Sequence, residues 1–314
     1  SAFFNTLKKI FIKDKNVIVL TGDLGYKMFD DFRRVAPPQR FYDMGVSEQN
    51  MVSVASGLAL SGKKVFCYSI IPFLTMRTFE QIRVDVSWHN LDVKFIGAGA
   101  GLSYGFEGFT HFALEDISVM RSMPNMTILS PSDPDEASRM AILSYKTKGP
   151  VYVRIGRGGE ENILRHDRKP CAISSRPSAM TSGGTSKDVL ILATGIMVKE
   201  SMLAAGNLMM KYKNTLNVSV YNVNIIQPLD EIFIFNLAKK YRAVFTAEEH
   251  YTRGGLGSVI SEILFEKGYR GIFRRIGIKK LNPDIKGTPE YLRKYYGLNS
   301  AAIEKSILKT LKQI

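Results

Sequence analysis

A glutamate at the start of a predicted helix is the first candidate for proton chemistry. Glu48 follows Ser47, a good N-cap whose hydroxyl can accept an unpaired amide of the first helical turn, and the helix dipole favours an acidic residue there. Residues 51–59 are mostly apolar, so the carboxyl group can point into a buried site. Burial raises a carboxyl pKa whereas the dipole lowers it, and a group balanced between the two could exchange a proton with a ligand. An ordinary helix start explains the same residues.

A glycine-rich loop contains the second candidate. His111 ends the segment 106–111, which follows a glycine-rich stretch at residues 97–105. The loop comes after a predicted strand, and open α/β sheets bind ligands at the carboxyl ends of their strands. Glycines permit tight turns and the close approach of a ligand. His111 is therefore a candidate site residue, although local packing accounts for it equally well.

Two arginines follow the last predicted strand of the first half of the chain. Arg154 and Arg157 stand where a guanidinium could hold a phosphate or carboxylate through two hydrogen bonds, and an ion pair between domains is the alternative. Further along, His250 precedes the glycines of residues 254–257, which could cradle a phosphate before a helix. Their spacing matches neither a P-loop nor a dinucleotide fingerprint, so a structural turn is the better interpretation.

Short β-branched runs alternate with segments of helical length along the chain. The predicted strands are 17–21, 64–68, 93–96, 126–129 and 151–154 in the first half and 189–193, 218–221, 243–247 and 271–276 in the second. The predicted helices of the first half are 47–61, 75–88, 114–123 and 134–147. This alternation predicts an α/β fold of two doubly wound domains with mainly parallel sheets. We place the domains at 1–160 and 188–314, with a linker at 161–187 where the pattern breaks.

Composition and charge argue against nucleic-acid binding, membrane association and a disulfide-bonded fold. The 314 residues carry 43 Lys and Arg against 29 Asp and Glu, a net charge of +14, and the basic excess is concentrated in residues 269–314. We interpret it as a solvated basic face, since no zinc-finger or RNP-type pattern supports nucleic-acid binding. No apolar run suits a membrane span and no secretory signal is visible, so no membrane association is expected. Cys67 and Cys171 form no disulfide framework, which favours a cytoplasmic location.

Taken together, the motifs resemble those of the transketolase family. The segments that carry the resemblance are Thr21-Gly22-Asp23-Leu24, residues 43–51, Gly108-Phe109-Thr110-His111, Met123-Pro124-Asn125-Met126, residues 149–154, Glu248-Glu249-His250 and residues 254–257. They cover nearly the whole chain in the family's order. The chain is similar to the C-terminal half of a transketolase or to the smaller subunit of a split one. The resemblance implies a pyrimidine-binding domain followed by a transketolase C-terminal domain.

The resemblance implies a cofactor site around Glu48. This residue aligns with the family's catalytic glutamate, whose carboxyl group bonds to N1′ of the thiamine diphosphate aminopyrimidine and so helps the cofactor lose its C2 proton. Phe73, Arg77 and Phe79 fall in the region that packs on the pyrimidine ring. The face of an amphipathic helix explains any one of these three residues equally well.

The resemblance also implies a substrate site. His111 aligns with a histidine that binds a substrate hydroxyl, and Arg154 with an arginine that holds a sugar phosphate. We place Glu107 and Arg157 in the same site. Glu107 stands where transketolases usually have Asp, and the stretch around Gly99 lacks the His or Arg that helps hold the donor phosphate in relatives. The identity of the sugar and its phosphorylation therefore stay open.

A partner subunit follows from the same resemblance. In such enzymes thiamine diphosphate lies between two polypeptides or domains, one of which binds its diphosphate through Mg²⁺ with a Gly-Asp-Gly…Asn motif. Here Leu24 follows Gly22-Asp23, so we predict no metal site in this chain. An active transketolase would need a separate N-terminal subunit carrying that motif, in an α₂β₂ heterotetramer that acts on small sugars. A 2-oxoacid dehydrogenase E1 β subunit, a split 1-deoxyxylulose-5-phosphate synthase and a non-catalytic homologue are the alternatives.

Overall fold

The computed structural model describes residues 2–25, 28–35, 39–163, 178–181, 188–212 and 215–312. Within these ranges the strands form one sheet of seven and one of five. In chain order they are β1 (Val17–Thr21), β2 (Phe41–Asp43), β3 (Lys64–Ile70), β4 (Val93–Ala98), β5 (Thr127–Leu129), β6 (Val151–Ile155), β7 (Ser178–Thr181), β8 (Val189–Ala193), β9 (Val218–Asn222), β10 (Ile225–Gln227), β11 (Ala243–Tyr251) and β12 (Ile272–Ile278).

The helices lie between these strands and at both ends of the described chain. They are α1 (Ala2–Lys13), α2 (Asp30–Val35), α3 (Glu48–Leu60), α4 (Ile71–Thr75), α5 (Phe79–Gln81) with a following π-helical turn (Ile82–Ser87), α6 (Asp116–Arg121), α7 (Pro134–Lys146), α8 (Met197–Lys211), α9 (Glu231–Ala238), α10 (Leu256–Glu266), α11 (Pro289–Tyr295) and α12 (Ser300–Leu311). Within the described ranges, no helix combines the length and the apolar character that a membrane crossing requires.

The two sheets are mainly parallel, which confirms the predicted fold class. The first has the order β10-β5-β6-β4-β3-β1-β2 and the second the order β12-β11-β8-β9-β7. Only β10 and β7 run antiparallel to their neighbours among the strands described. In β1 and β8 every residue is buried. Strands covered on both faces have no solvent side, so they read as uninterrupted apolar runs, and this is why the sequence predicted them closely.

Two strands do not follow the predicted division into domains. β10 comes from the second half of the chain, yet it pairs with β5 in the first sheet, where Ile225 lies opposite Leu129. β7 falls inside the predicted linker, yet it forms an edge of the second sheet beside β9. The remainder of that linker, residues 164–177 and 182–187, lies outside the described residues. The boundaries proposed from the sequence stay a prediction, and the sheets cross them at these two strands.

The helix predicted over residues 75–88 is wrong as a single helix. α4 already ends at Thr75, and the chain becomes helical again only at Phe79, before the π-helical turn. The Thr75 hydroxyl donates to the Ile71 carbonyl at 2.8 Å and the Thr78 hydroxyl to the Leu74 carbonyl. Threonine side chains that take up backbone acceptors in this way compete with the regular helical pattern. The break separates Phe73 from Phe79 and leaves Arg77 between them.

Candidate active site

The carboxylate of Glu48 is buried beside the carboxyl ends of the first sheet's strands. α3 begins at Glu48, after a turn in which Gly45 has φ +67°, and the side chain is only 3% exposed. Its Oε1 accepts a 3.1 Å hydrogen bond from the Ser69 hydroxyl at the end of β3, and its Oε2 accepts one of 3.1 Å from Arg77 Nη1. The glutamate therefore points inward, as the apolar character of α3 indicated.

The predicted capping role of Ser47 is wrong. Its hydroxyl donates to the Met44 carbonyl at 2.6 Å, and the side chain makes no cap hydrogen bond to α3. The hydroxyl thus holds the turn that precedes the helix. The first-turn amides of α3 consequently have no acceptor from Ser47, and the positive end of the helix dipole lies beside the Glu48 carboxylate.

A chain of side-chain contacts connects Glu48 with His111. The Arg77 guanidinium, bonded to Glu48, lies 4.0 Å from the centre of the Phe73 ring, and that ring meets the His111 imidazole edge to face at 5.2 Å. On its other side His111 contacts the Tyr104 ring at 5.7 Å. Four of the residues singled out from the sequence thus lie together, although β2, β3 and β4 carry them into the site from distant parts of the chain.

The contacts continue from His111 towards Arg157 and Glu107. The Arg157 guanidinium lies 5.2 Å from the centre of the Tyr104 ring, and its Nη1 is 3.7 Å from Glu107 Oε1. Both charged side chains are accessible, with Arg157 56% exposed. A cation and an anion therefore lie at the end of the row that begins at Glu48, where they can interact with a polar ligand.

Arg154 has a different environment from Arg157. Its guanidinium is 3% exposed and forms a 2.7 Å ion pair from Nε to Asp116 Oδ2. Nη2 donates to the Ala113 carbonyl at 3.0 Å and to the Glu249 carbonyl at 2.9 Å. The ion pair with Asp116 lies within the first half of the chain, so it is not the ion pair between domains that was the alternative. The contact with the second sheet is the hydrogen bond to the carbonyl of Glu249 in β11. The role of Arg154 in holding a sugar phosphate stays a prediction.

Apolar side chains are exposed along the segments that carry Glu48 and Arg77. They are Val46, Met76, Phe79, Val84 and Trp88, and Trp88 is 75% exposed. Phe79, predicted to pack on a cofactor ring, lies at the start of α5 and is 38% exposed. Exposed apolar groups in one region of a surface are typical of an interface. The surface beside Glu48 and Arg77 is therefore suited to contact with another polypeptide.

The glycines after His250 do not form an empty phosphate cradle. Glu248 Oε2 and Oε1 accept hydrogen bonds from the amides of Leu256 and Gly257 at 2.6 and 2.8 Å, so the chain's own carboxylate fills the N-terminus of α10. A Cβ on Gly255 would lie 2.0 Å from Glu248 Oε2. This agrees with the structural turn predicted there, and glycine is required because the carboxylate packs directly against the backbone.

Burial lowers the pKa of His250 and raises the pKa of Glu248, so the two groups change the stability of the chain in opposite directions as the pH rises. Burial is the main cause that lowers the pKa of His250 to about 4, against the opposing charge of Asp116, whose Oδ1 is 4.0 Å from Nε2. Burial also raises the pKa of Glu248 to about 7, in spite of its two amide donors and the charges of Arg154 and Arg275. The unfolded chain therefore binds more protons at position 250 between pH 4 and 6.5, and the folded chain binds more at position 248 between pH 4.5 and 7.

The first prediction concerns this pair. Relative to His250→Gln, the wild-type chain should gain stability as pH rises from 4 to 6.5, by about 3 kcal/mol. Relative to Glu248→Gln, it should lose stability as pH rises from 4.5 to 7, so each variant serves as the control for the other. Urea unfolding at several pH values measures both differences. Two difference curves with the same slope would contradict the assignment.

Comparison with known proteins finds two family models, one in each half of the chain. The family model of the transketolase pyrimidine binding domain matches residues 1–159, and that of the transketolase C-terminal domain matches residues 182–303. The chain belongs to the transketolase family. An apulose-4-phosphate transketolase subunit from Phocaeicola vulgatus is 32% identical over 99% of this chain and 97% of its own length. The 6-deoxy-6-sulfo-D-fructose transketolase subunit of Clostridium sp. strain MSTE9 is 35% identical over 94% and 88%.

A solved structure extends the likeness to transketolases encoded by split genes. It is an inactive β4 tetramer of a split-gene transketolase, 30% identical, with a TM-score of 0.85 over 99% of this chain and 97% of that one. Full-length 1-deoxy-D-xylulose-5-phosphate synthases match as well, but the chain spans about half of such a synthase, 46% in Prochlorococcus marinus. Transketolases and these synthases use thiamine diphosphate. Along its whole length the chain therefore corresponds to one subunit of a split transketolase.

The residues around Glu48 fit one part of that cofactor. A buried carboxylate can bond to a nitrogen of an aminopyrimidine and an aromatic ring can pack on it; Glu48 is buried, and the Phe73 ring lies against its partner Arg77. Gly22 lies close to the carboxylate, since a Cβ at this position would be 3.7 Å from Glu48 Oε1. Among the described residues, no three His, Cys, Asp or Glu side chains come together as a metal site.

Ser69, Tyr104 and Asp116 are site residues that the sequence did not single out. Ser69 is a polar residue near the end of an otherwise buried strand, and such a position next to a candidate catalytic loop is a recognisable pattern. Tyr104 lies within the glycine-rich loop that was already under consideration. For Asp116 no sequence pattern indicates the pairing, because its partner Arg154 is 38 residues away.

Proposed function

We propose that this chain is the C-terminal subunit of a split transketolase, which transfers a two-carbon ketol unit between sugars together with an N-terminal subunit. One observation carries the proposal: the Glu48 carboxylate is buried and is connected through Arg77 and Phe73 to His111. Thiamine diphosphate, when bound, supplies the carbon that carries the two-carbon unit. This chain's residues orient the pyrimidine and manage the protons.

Glu48 is the proposed proton-holding group at the pyrimidine N1′. In the structure its Oε2 is paired with Arg77, whose guanidinium stands where the ring nitrogen would have to bond. Arg77 is 49% exposed and its guanidinium can turn into solvent, whereas Glu48 is 3% exposed and would stay buried, so the ring nitrogen would have to replace Arg77 as its partner. Exchange of Arg77 for the ring nitrogen is therefore the proposed change on cofactor binding, while Ser69 keeps the carboxyl group in place.

The proposed substrate site extends from His111 to Glu107. His111 would donate to or accept from a sugar hydroxyl next to the reacting carbon, and Arg157 would contact the far end of the sugar. Two relatives are named for apulose-4-phosphate and 6-deoxy-6-sulfo-D-fructose, each with an anionic group. An exposed arginine in this position supports a phosphorylated or sulfonated sugar as the substrate class.

A second polypeptide is the proposed source of the diphosphate and Mg²⁺ ligands. The exposed apolar side chains on the segments that carry Glu48 and Arg77 support this, and so does the solved split-gene relative, which is an inactive tetramer of one kind of chain. We propose an α₂β₂ heterotetramer with an N-terminal subunit that carries a Gly-Asp-Gly…Asn motif. The buried free thiol of Cys67 supports the cytoplasm as its compartment.

The second prediction tests the need for that partner. The full chain alone should bind thiamine diphosphate with Mg²⁺ weakly, and addition of the N-terminal subunit should make binding tight in isothermal titration calorimetry. Trp88→Glu should weaken assembly by roughly tenfold or more, since it places a charge in the proposed interface. Phe265→Glu is the matched control, because Phe265 is 86% exposed on α10. Tight Mg²⁺-dependent binding by the chain alone would contradict the proposal.

Product analysis of the assembled complex separates the alternative functions. A transketolase transfers two carbons from a ketose to an aldose with no other reactant. A panel of phosphorylated and sulfonated ketoses, each supplied with an aldose acceptor, should therefore give an aldose shortened by two carbons and a ketose lengthened by two. A deoxyxylulose-phosphate synthase would instead consume pyruvate and release CO₂. An E1 enzyme would need a 2-oxoacid and an electron acceptor. A correctly assembled complex without any of these activities would indicate the non-catalytic homologue.

A further inference from the structure

A cleft of about 770 Å³ lies where the carboxyl ends of both sheets meet. Ser130 follows β5 on one side, and Gly195 follows β8 on the other. Open α/β sheets bind ligands at this edge, and the volume is in the range of small-molecule sites. Arg157 lines this cleft as well as the proposed substrate site, whereas Glu48, Phe73 and His111 do not line it.

The N-terminus of α8 opens into the cleft. This helix has 15 residues, and Gly195 with φ +57° turns the chain into it before the N-cap residue Ile196. An isoleucine side chain has no acceptor for the amides of the helix. The Val198 and Lys199 amides donate to the Gly195 and Ile196 carbonyls at 3.1 Å, so the amides of Ile196 and Met197 are those that can attract an anion. At α10, which follows β11 of the same sheet, the carboxylate of Glu248 already accepts from the amides at the N-terminus of the helix.

A buried hydroxyl without a partner points to the same place. Ser130 is completely buried, and among the described residues its Oγ has no hydrogen-bond partner. This oxygen lies 3.5 Å from the point where a Cβ on Gly195 would stand. Leaving a buried hydroxyl unpaired costs free energy, so a ligand atom at the Gly195 turn would complete it.

A guanidinium and an ammonium group add positive charge around this turn. Arg154 Nη1, on the opposite side of the guanidinium from the bonds of Nη2, lies 3.9 Å from the same point beside Gly195. Lys199 is in the first turn of α8 and 41% exposed. Its pairing with Glu161, which is 83% exposed, is a surface ion pair that solvent screens. Lys199 is therefore able to turn towards an anion in the cleft.

The acidic residues of the cleft already have partners. Asp133 Oδ1 accepts from the Glu136 amide at 2.7 Å, and Glu200 Oε2 accepts from the Ser300 amide at 2.8 Å. Glu290 accepts from Arg293 at 2.9 Å, and Glu160 from the Gly158 amide at 3.1 Å. Each of these carboxylates is thus held by a donor of the protein.

We infer that the turn 194–197, with Ser130 and Lys199, binds the phosphate group of a small metabolite whose remainder occupies the cleft. A tetrahedral anion there would accept from the amides of Ile196 and Met197, from the Ser130 hydroxyl and from Arg154 Nη1. Because Ser130 and Gly195 belong to different sheets, the anion would connect the two halves of the chain. This site goes beyond the proposed transfer reaction, since it uses neither Glu48 nor His111.

Inorganic phosphate is the ligand for the test, which is the third prediction. Thermal unfolding and calorimetry of the full chain should show saturable stabilisation by phosphate over chloride at equal ionic strength. Ser130→Ala should weaken binding roughly tenfold. Ser201→Ala is the matched control, because its hydroxyl is likewise buried and without a partner among the described residues but does not line the cleft.

A second pair of variants keeps the test decisive if Ser130→Ala fails to fold. Lys199→Glu should abolish the stabilisation, whereas Lys211→Glu, at the other end of α8, should not, although both change the net charge equally. Phosphate binding that survives both Ser130→Ala and Lys199→Glu would overturn the inference. So would loss of binding on Arg157→Gln alone, since the anion would then belong to the substrate site. Absence of saturable binding by the wild-type chain would overturn it as well.

Discussion

Replacing Glu48 with glutamine is expected to slow C2-proton exchange of bound thiamine diphosphate by roughly 10²- to 10⁴-fold. Glutamine has nearly the same shape and can still accept from Ser69, so assembly with the N-terminal subunit should persist. It cannot hold and release a proton, however, and the pyrimidine would lose its acid–base partner. Quenched-flow deuterium exchange followed by NMR of the released cofactor measures the rate, and calorimetry of cofactor binding checks assembly.

Two further variants give the experiment its controls. Glu80→Gln removes an exposed carboxylate from α5, near Arg77 in the chain, and should leave exchange unchanged. Arg77→Met should keep exchange within about tenfold of wild type, because Arg77 is proposed to leave Glu48 when the cofactor binds. If Arg77→Met slowed exchange as much as Glu48→Gln, proton exchange would require the Arg77–Glu48 ion pair, and the proposed departure of Arg77 would be wrong. Unchanged exchange in Glu48→Gln would remove Glu48 from the mechanism.

The elements of the fold were largely predictable from the sequence, for a physical reason. Strands buried on both faces must be apolar throughout, and β1 and β8 appear in the sequence as continuous runs with these bounds. β2, β7 and β10, of three or four residues each, were missed. A short edge strand is defined by its pairing partner more than by its own composition, and the partner of β10 is β5, about 100 residues earlier.

The residues of the candidate site could be predicted from the sequence, but the contacts among them could not. Glu48 and His111 carry chemistry that their local context suggests, and both lie in the site. Their connection through Arg77 and Phe73 depends on the strand order β4-β3-β1-β2, which local sequence patterns do not contain. The pairing of Ser69 with Glu48 likewise reaches across β1 and so could not be inferred from spacing along the chain.

Arg154 shows that residue type and position in the sequence are insufficient to predict what a side chain contacts. From the sequence, an arginine at the end of a strand could hold a ligand anion or form an ion pair between domains, and both alternatives were open. In the structure its carboxylate partner is Asp116, in the same half of the chain, and its contact with the second sheet is a hydrogen bond to the Glu249 carbonyl, 95 residues away. Local sequence patterns contain neither contact, because both depend on the packing of elements that are distant along the chain.

Arg154→Met is expected to destabilise the chain by about 3–5 kcal/mol, the usual cost of removing one partner of a buried ion pair. The substitution leaves the Asp116 carboxylate buried, with the Tyr152 hydroxyl at 2.7 Å as its remaining hydrogen-bond donor among the contacts described. It also removes the donors to the Ala113 and Glu249 carbonyls, which join the two sheets. Urea unfolding followed by circular dichroism measures the free energy of unfolding.

An exposed pair of the same residue types provides the comparison. Arg33 Nη2 is 3.1 Å from Asp43 Oδ2, with side chains 42% and 33% exposed, so Arg33→Met should cost less than about 1 kcal/mol. The double variant Arg154→Met/Asp116→Leu should recover part of the loss, because no unpaired buried charge remains. If Arg154→Met cost no more than Arg33→Met, the buried pair would not be what holds the His111 loop region against the second sheet.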